Sequence, residues 1–545
     1  MEEKKFEMVA KTFYGLEDVL RDELINLGAE NVEIGNRMVT FEGDLAMLYK
    51  ANLCCRTALR ILKPIVKFTA AGTDELYDKV RDLDWSQFMD ADTTFSIDST
   101  VYGEEFTHSK YVTYRVKDGI VDHFMDTIGK RPSIRLSGAD LQLNVHIAGN
   151  RVTISLDSSG TPLYKRGYRE EQTEAPINEV LAAGIILKTG WRGDSDFLDP
   201  MCGSGTFLIE AALIACNINP GIYRQDFAFE KWNDFDKELF EEIYNDDSNE
   251  RDFNYKIFGG DIDPDAIAIA KKNVKTAHLE DYIELSCQPL TDWQADTAEG
   301  IIVTNPPYGE RLRPDNLNML YKEIGSTLKN NFQGWHAWLI GYQEDQMKEI
   351  GLKPSVKIPL HNGSLECTLR EYVMFDGKYS EFRAEGGSVA SEASERKHSQ
   401  GPRKVRRISD DDWEAESRKF NKGKGFTGKK ENKGRKEDKG RRDNREFRDR
   451  RDDGGRREFK GHHREDKERR DFRDRRDGGD RRDFRDRRDN KDRRDFREKS
   501  KGGPFMSYDP SKSKGPRLPE SSATVINNVY LRKRKKKDFL DNDED

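Results

Sequence analysis

The sequence predicts an α/β protein in three parts: an N-terminal α+β region, a domain built on a doubly wound parallel sheet, and a disordered C-terminal tail. Three observations predict it. Helical and alternating apolar patterns mix over residues 1–157, short apolar runs alternate with helices after Gly160, and hydrophobic periodicity stops past about residue 381.

Near the N-terminus, GLEDVLRDELINLG (15–28) sets Leu16, Val19, Leu20, Leu24 and Leu27 on one helical face and stops at a glycine. That is an amphipathic helix suited to packing on a sheet. Leu141, Leu143, Val145 and Ile147 alternate with polar residues before Ala-Gly-Asn turns the chain into Val152, Ile154 and Leu156, the pattern of a β-hairpin with one buried face. Buried strands are expected at 197–198, 257–258, 283–285, 301–303 and 337–340, separated by helices such as 206–216, 265–277 and 317–329. Val356, Ile358 and the run 365–375 predict an antiparallel edge hairpin. The acidic, aromatic stretch 219–254 reads as an insertion between the first helix and the second strand.

Charged residues make up 36% and hydrophobic residues 35% of the 545, too polar for a globular chain of this size unless part of it has no core. From about residue 391 there are 52 Lys and Arg against 36 Asp and Glu, so a tail of +16 follows a body of −23 and the overall −7 hides both. In the tail Phe472, Phe484 and Phe496 recur every twelve residues, as do Phe447 and Phe459, too few aromatics to offset the entropy of ordering the backbone. An acidic body repels polyanions and a basic tail attracts them, so the tail is expected to contact nucleic acid. Six cysteines without a C-x-x-C pair fit neither a disulfide framework nor a zinc site, and His108, His123 and His146 lack ligand spacing, so no metal is expected. The N-terminus lacks the apolar run of a signal peptide and no stretch approaches a membrane span; a cytoplasmic protein without a membrane partner is expected.

In a doubly wound sheet the ligand sits at the carboxyl ends of the strands. Asp199-Pro-Met-Cys-Gly203-Ser-Gly205-Thr follows the first of these strands and opens a helix, and Gly260-Asp261-Ile-Asp263 ends the second with a carboxylate suited to ribose hydroxyls. The glycine loop lacks the G-x-G-x-x-G fingerprint of nicotinamide and flavin enzymes, since Phe207 and Leu208 stand where its third glycine would fall. Asn305-Pro306-Pro307-Tyr308 follows the fourth strand. The exocyclic amine of a base is a poor nucleophile because its lone pair is delocalised into the ring. To attack a methyl sulfonium it needs acceptors for its hydrogens, in-line placement and a surface that holds the base. The Asn305 side-chain oxygen and the Pro306 carbonyl are such acceptors, Pro307 helps stiffen the backbone, and Tyr308 is suited to stack on an extruded base.

The succession DPMCGSGT, GGDIDPDAI and NPPYGERL resembles the class I methyltransferases that modify base amino groups. Residues 164–185, YKRGYREEQTEAPINEVLAAGI, are similar to the segment before the glycine loop in the THUMP-containing ribosomal RNA guanine-N2 methyltransferases, and GLEDVLRDELINLG and SLDSSGTPLYKRGYR are similar to that family's ferredoxin-like and THUMP region. The resemblance spans about residues 5–376. It implies a ferredoxin-like region over 1–44, a THUMP RNA-binding domain over 45–157, a Rossmann-like class I methyltransferase domain over 158–380 and a disordered Arg/Asp-rich tail over 381–545. It also implies S-adenosyl-L-methionine as cofactor, with Asp199, Cys202, Gly203 and Gly205 around its methionine part, and Asp261 on its ribose with Ile262 beside it. Gln288 stands where the family usually has an acidic residue near the adenine. Arg166 and Tyr168 are expected to touch substrate; Cys202 has no evident general base and is read as packing rather than as a nucleophile.

The implied function is methylation of the N2 amine of a guanine in 23S ribosomal RNA, on the large-subunit precursor and without a metal or covalent intermediate. Other readings stay open: a transfer-RNA guanine-N2 methyltransferase, a DNA adenine-N6 methyltransferase, which Asn-Pro-Pro-Tyr alone also fits, or a non-catalytic RNA-binding or chaperone protein. The N-terminal resemblance counts against DNA, and intact Asp199, Asp261 and Asn305 count against a vestigial site.

Overall fold

The computed structural model describes residues 5–308, 314–375 and 410–422. Two seven-stranded sheets organise them. The first contains β1 (Phe6–Lys11), β2 (Glu30–Ile34), β3 (Met38–Gly43), β4 (Arg60–Thr69), β5 (Phe95–Tyr102), β6 (Leu141–Ala148) and β7 (Arg151–Asp157), in the order β2-β3-β1-β4-β7-β6-β5. Neighbours are antiparallel except β5 and β6, which the long helix α4 (Ser109–Ile128) connects as a parallel pair. Helix α1 (Glu17–Asn26) turns Leu20 and Leu24 into the core, as the periodicity predicts. Helix α2 (Leu45–Cys54) starts where the Asp44 carboxylate accepts from the Met47 N–H at 2.8 Å. Helix α3 (Thr73–Arg81) packs on α4.

The two expected N-terminal parts are joined by hydrogen bonds. β4 pairs with β1 through residues 60–62 and with β7 through residues 62–69, so they share one sheet. A register shift between Pro64 and Val66 breaks the alternation that would have announced β4.

The second sheet contains β8 (Asp196–Asp199), β9 (Ile257–Asp261), β10 (Ile283–Cys287), β11 (Gly300–Thr304), β12 (His336–Gly341), β13 (Val356–Asn362) and β14 (Leu365–Val373), in the order β10-β9-β8-β11-β12-β14-β13. The first five are parallel, and β14 with β13 forms the expected antiparallel edge hairpin. Helices α5 (Glu179–Thr189), α6 (Thr206–Ala215), α8 (Pro264–Thr276), α9 (Pro314–Asn331) and α10 (Glu344–Glu349) accompany the strands. The strand order reverses at β8, opening a crevice at the carboxyl ends of β8 and β11.

Inside the insertion lies a further helix, α7 (Lys237–Tyr244), and an aromatic cluster explains its composition. Phe227, Phe229 and Phe240 pack together, the Tyr49 ring of α2 lies 4.6 Å from that of Phe229, and the Tyr49 hydroxyl accepts from the Asp236 N–H at 2.9 Å. The insertion thus fastens the methyltransferase-like sheet to the N-terminal region.

One expectation for the tail is corrected. Residues 381–545 were expected to lack structure throughout, but Asp410–Phe420 form a helix, α11, against β4. The Lys67 ammonium lies 4.6 Å from the Phe420 ring centre and 5.7 Å from that of Trp413. The Asn421 amide also closes on the Lys67 backbone, its oxygen accepting from the N–H at 3.1 Å and its nitrogen donating to the carbonyl. Two aromatics spaced two turns apart vanish in a composition averaged over the tail. The Phe repeats lie outside the described residues. Among the described residues no helix is long and apolar enough to cross a membrane.

Helix α6 is buried on every side and holds one charged residue, Glu210. Its carboxylate accepts from the Tyr168 hydroxyl at 2.9 Å and from the Arg166 guanidinium at 3.3 Å, and Arg166 also donates to the backbone carbonyls of Leu163 and Arg56. Removing one partner leaves the other charge buried alone. Arg166→Leu is expected to lower stability by about 3–5 kcal/mol, while the double change with Glu210→Leu recovers most of the loss; denaturant titration checks both.

Candidate active site

The crevice holds a cavity of about 760 Å³, within the roughly 300–1,000 Å³ range of small-molecule sites. Asp199 at the end of β8, Cys202 and Gly203 in the glycine loop, Asp261 at the end of β9 with Ile262 after it, and Asn305 and Pro307 after β11 all line it. Three strand ends therefore bring seven of the residues singled out in the sequence to one place.

Gly203 shows why the loop needs glycine. Its φ is +52°, and a Cβ placed there would meet only the Thr173 hydroxyl, at 3.6 Å, so the backbone stays open to a ligand. Its N–H donates to Asp261 Oδ2 at 3.0 Å, and the Cys202 N–H donates to the Gly260 carbonyl at 2.7 Å, which ties the loop to the end of β9. Asp261 Oδ1 accepts from the Asp263 N–H at 3.0 Å, and Asp263 caps α8 by accepting from the Asp265 N–H at 2.9 Å.

Burial sets the electrostatics. Asp199 is 1% exposed and its carboxyl is pushed up to about 7, mainly by desolvation, with the charge of Asp261 adding to the rise. The Cys202 thiol is held well above its ordinary range by burial and by the same two carboxylates, which suits packing and not nucleophilic attack. Asn305 Oδ1 is buried without a hydrogen-bond partner. An orphaned acceptor in a cavity wall is costly to the free protein and is satisfied when a ligand donates to it.

Other expected residues stand off the cavity wall. Gly205, at φ +80°, lies where a Cβ would come 3.3 Å from Ala270 Cβ, so its small size serves the approach of α6 to α8. The Gln288 side-chain oxygen accepts from the Ser286 hydroxyl at 3.1 Å, while Pro289, Leu290 and Thr291 line the cavity instead. Pro306 is buried, and the Tyr308 hydroxyl accepts from Asn362 Nδ2 at 2.7 Å. Arg166 and Tyr168, expected to touch substrate, are both buried, and their polar atoms are engaged by Glu210 and backbone carbonyls.

Sequence reasoning missed the residues that brace the loop from behind. Arg169 donates to Glu179 at 2.7 Å, to the Ser204 hydroxyl at 2.8 Å and to the Thr206 hydroxyl at 2.9 Å. Asn273 of α8 donates to the Ser204 carbonyl at 3.0 Å and accepts from the Glu170 N–H at 3.0 Å. Arg169 closes the YKRGYR segment and Asn273 stands in no motif, and only their distant partners reveal what they do.

Family models match in the same order along the chain: the RlmL ferredoxin-like domain over residues 7–62, the THUMP domain over 70–157, and the RMKL-like methyltransferase domain over 166–371. The chain is 36% identical over 364 residues to the Synechocystis protein named "Putative RNA methyltransferase slr0064", covering 66% of this chain and 95% of that one. This chain belongs to the THUMP-bearing, RMKL-like methyltransferase family. The methyltransferase is also 38% identical over 379 residues to the Ribosomal RNA large subunit methyltransferase K/L of Syntrophotalea carbinolica, covering 67% of this chain but 53% of that one. It thus spans about half the length of that relative. A solved structure, that of SMU.472, described as "a putative methyltransferase complexed with SAH", shares 32% identity at a TM-score of 0.63, over 69% of this chain and 100% of that one.

The cofactor is S-adenosyl-L-methionine, and the cavity suits it: two carboxylates for an ammonium and a diol, an open glycine backbone, and the apolar wall of Ile262, Pro289 and Leu290. The raised Asp199 carboxyl also makes a prediction about the cofactor-free methyltransferase. Between its ordinary value near 3.8 and about 7 the folded chain holds a proton that the unfolded chain has lost, so stability declines as pH rises through that window. Asp199→Asn removes the decline. The variant is expected to melt above the parent at about pH 8, with the gap closing toward pH 4, in thermal denaturation without cofactor.

Proposed function

We propose that the methyltransferase modifies the exocyclic N2 amine of a guanine in large-subunit (23S) ribosomal RNA. The observation that carries this reading is the unpartnered Asn305 oxygen in a cavity shared with Asp199, Asp261 and the open Gly203 backbone. Bound S-adenosyl-L-methionine supplies an electrophilic methyl group. Asp199, Gly203 and Cys202 hold its methionine part and Asp261 its ribose. The Asn305 oxygen and the Pro306 carbonyl each accept one hydrogen of the base amine, which turns the nitrogen lone pair toward the methyl and steadies the charge that grows on the nitrogen. The Tyr308 ring, held through its hydroxyl by Asn362, stacks on the extruded base. RNA is supported by the THUMP match and by the names of the ribosomal K/L relatives, and guanine by the resemblance of residues 164–185. The basic tail adds contacts to RNA phosphates.

Asn305→Ala is expected to leave cofactor affinity nearly unchanged and to slow methyl transfer about a hundredfold or more, in single-turnover assays with calorimetry as control. Asp261→Ala should instead weaken cofactor binding, because it removes both the diol partner and the bond that holds the Gly203 N–H. Nucleoside mass spectrometry after incubation of naked ribosomal RNA with labelled cofactor should show N2-methylguanine; label in N6-methyladenine, or only in transfer RNA, overturns the substrate assignment. Removing residues 423–545 should flatten the dependence of RNA affinity on salt, since fewer phosphates are neutralised, and equal slopes for the two proteins would show that the tail is not an RNA arm.

A further inference from the structure

A second recess of about 480 Å³ adjoins the cofactor cavity, and Pro176 and Ile177 form a wall common to both. Phe13, just after β1, and Tyr164, just before the buried Arg166, present half-buried aromatic rings to it. Lys165 and Gln172 bring an ammonium and an amide, Arg166 and Arg169 line its inner side with Glu179 paired to Arg169, and Asn362 and Gly363 close it from the tip of the β13–β14 hairpin. Asn362 links this recess to the reacting base, because its side chain donates to the Tyr308 hydroxyl.

The walls are set closely against each other. Gly15, at φ +88°, packs where a Cβ would lie 2.8 Å from the Pro359 carbonyl, and the Tyr14 ring meets that of His361 edge-on at 5.0 Å. The N-terminal region is therefore pressed onto the hairpin, and Phe13 is carried into place with it.

Aromatic faces, amides that read base edges and cations beside them are the chemistry that holds an unpaired nucleotide. We infer that this recess is a second nucleotide subsite, which takes the unpaired RNA nucleotide next to the base presented to Asn305. A base lodged between Phe13 and Tyr164 keeps its neighbour out of the helical stack and offsets part of the cost of extruding it. The inference rests on the RNA reading above and adds where the flanking nucleotide sits.

The test uses the full chain and naked large-subunit ribosomal RNA transcribed with 4-thiouridine. After irradiation, crosslinked peptides are identified by mass spectrometry, and those containing Phe13 or Tyr164 are expected among them. Phe13→Ala and Tyr164→Ala are expected to raise KM for that RNA about tenfold, the scale of one lost stacking contact, with kcat and cofactor affinity little changed. Phe13→Trp and Tyr164→Phe keep a ring and should keep KM. Crosslinks that spare both peptides, or an unchanged KM in both alanine variants, would overturn the subsite. Should an alanine variant fail to fold, the crosslinks on the parent protein decide alone. Crosslinks at Phe13 and Tyr164 without any methylated guanine would support the subsite and sink the proposed reaction instead.

Discussion

Arg166 is buried at the meeting point of everything the site requires. Its guanidinium reaches the Glu210 carboxylate of α6, the Leu163 carbonyl before it and the Arg56 carbonyl of the N-terminal region. A carboxylate inside a helix buried all round is tolerable only with such a partner, because an isolated charge there would cost several kcal/mol. Helix α6 begins at the glycine loop, so the contact that neutralises Glu210 also fixes the loop relative to the N-terminal sheet. Arg169 continues the same work three residues later, binding Ser204 of the loop, Thr206 at the start of α6 and Glu179 of α5. The segment YKRGYR is thus a brace between the two sheets, with Tyr164 and Lys165 on its accessible side.

Two further seats hold the N-terminal region against the methyltransferase domain. One is the aromatic cluster around Tyr49, and the other is the contact of Tyr14 and Gly15 with the β13–β14 hairpin. Seats on separate elements restrict relative motion more than one large patch does, since each removes a different rotation. In the proposed reaction, RNA held by the first sheet would reach Asn305 in a fixed frame, the placement that an in-line transfer needs. The hairpin belongs to both functions, because its tip holds Tyr308 while its flank rests on the N-terminal region.

Much of this frame was legible in the sequence because its signals are local. Apolar runs located β8 to β12, and the three motifs fell at strand ends where a doubly wound sheet must place a ligand. Side-chain direction was not legible. Arg166 and Tyr168 look like substrate groups in a polar, aromatic stretch, but their partner Glu210 lies more than forty residues on, and only the folded chain shows that they turn inward. Gly205 and Gln288 were placed by motif spacing, which fixes position along the chain but not which side of a loop faces the cavity. The sharing of β4 by both N-terminal parts was hidden by its bulge, and α11 by the charged composition around it.

The choice of an amide at position 305 follows from the charges already present. Asp199 and Asp261 line the same cavity, and burial together with their proximity has pushed the Asp199 carboxyl up to about 7. A third carboxylate at position 305 would push the Asp199 carboxyl up further and add another charge to be buried. An amide oxygen accepts hydrogens at every pH and adds no charge. It also spares the RNA a further repulsive group in a body that already carries an excess of negative charge. In the proposed reaction the two carboxylates then serve a cationic cofactor, and the approach of the polyanionic substrate is left to the ring of Tyr308, to neutral acceptors and to basic groups outside the cavity.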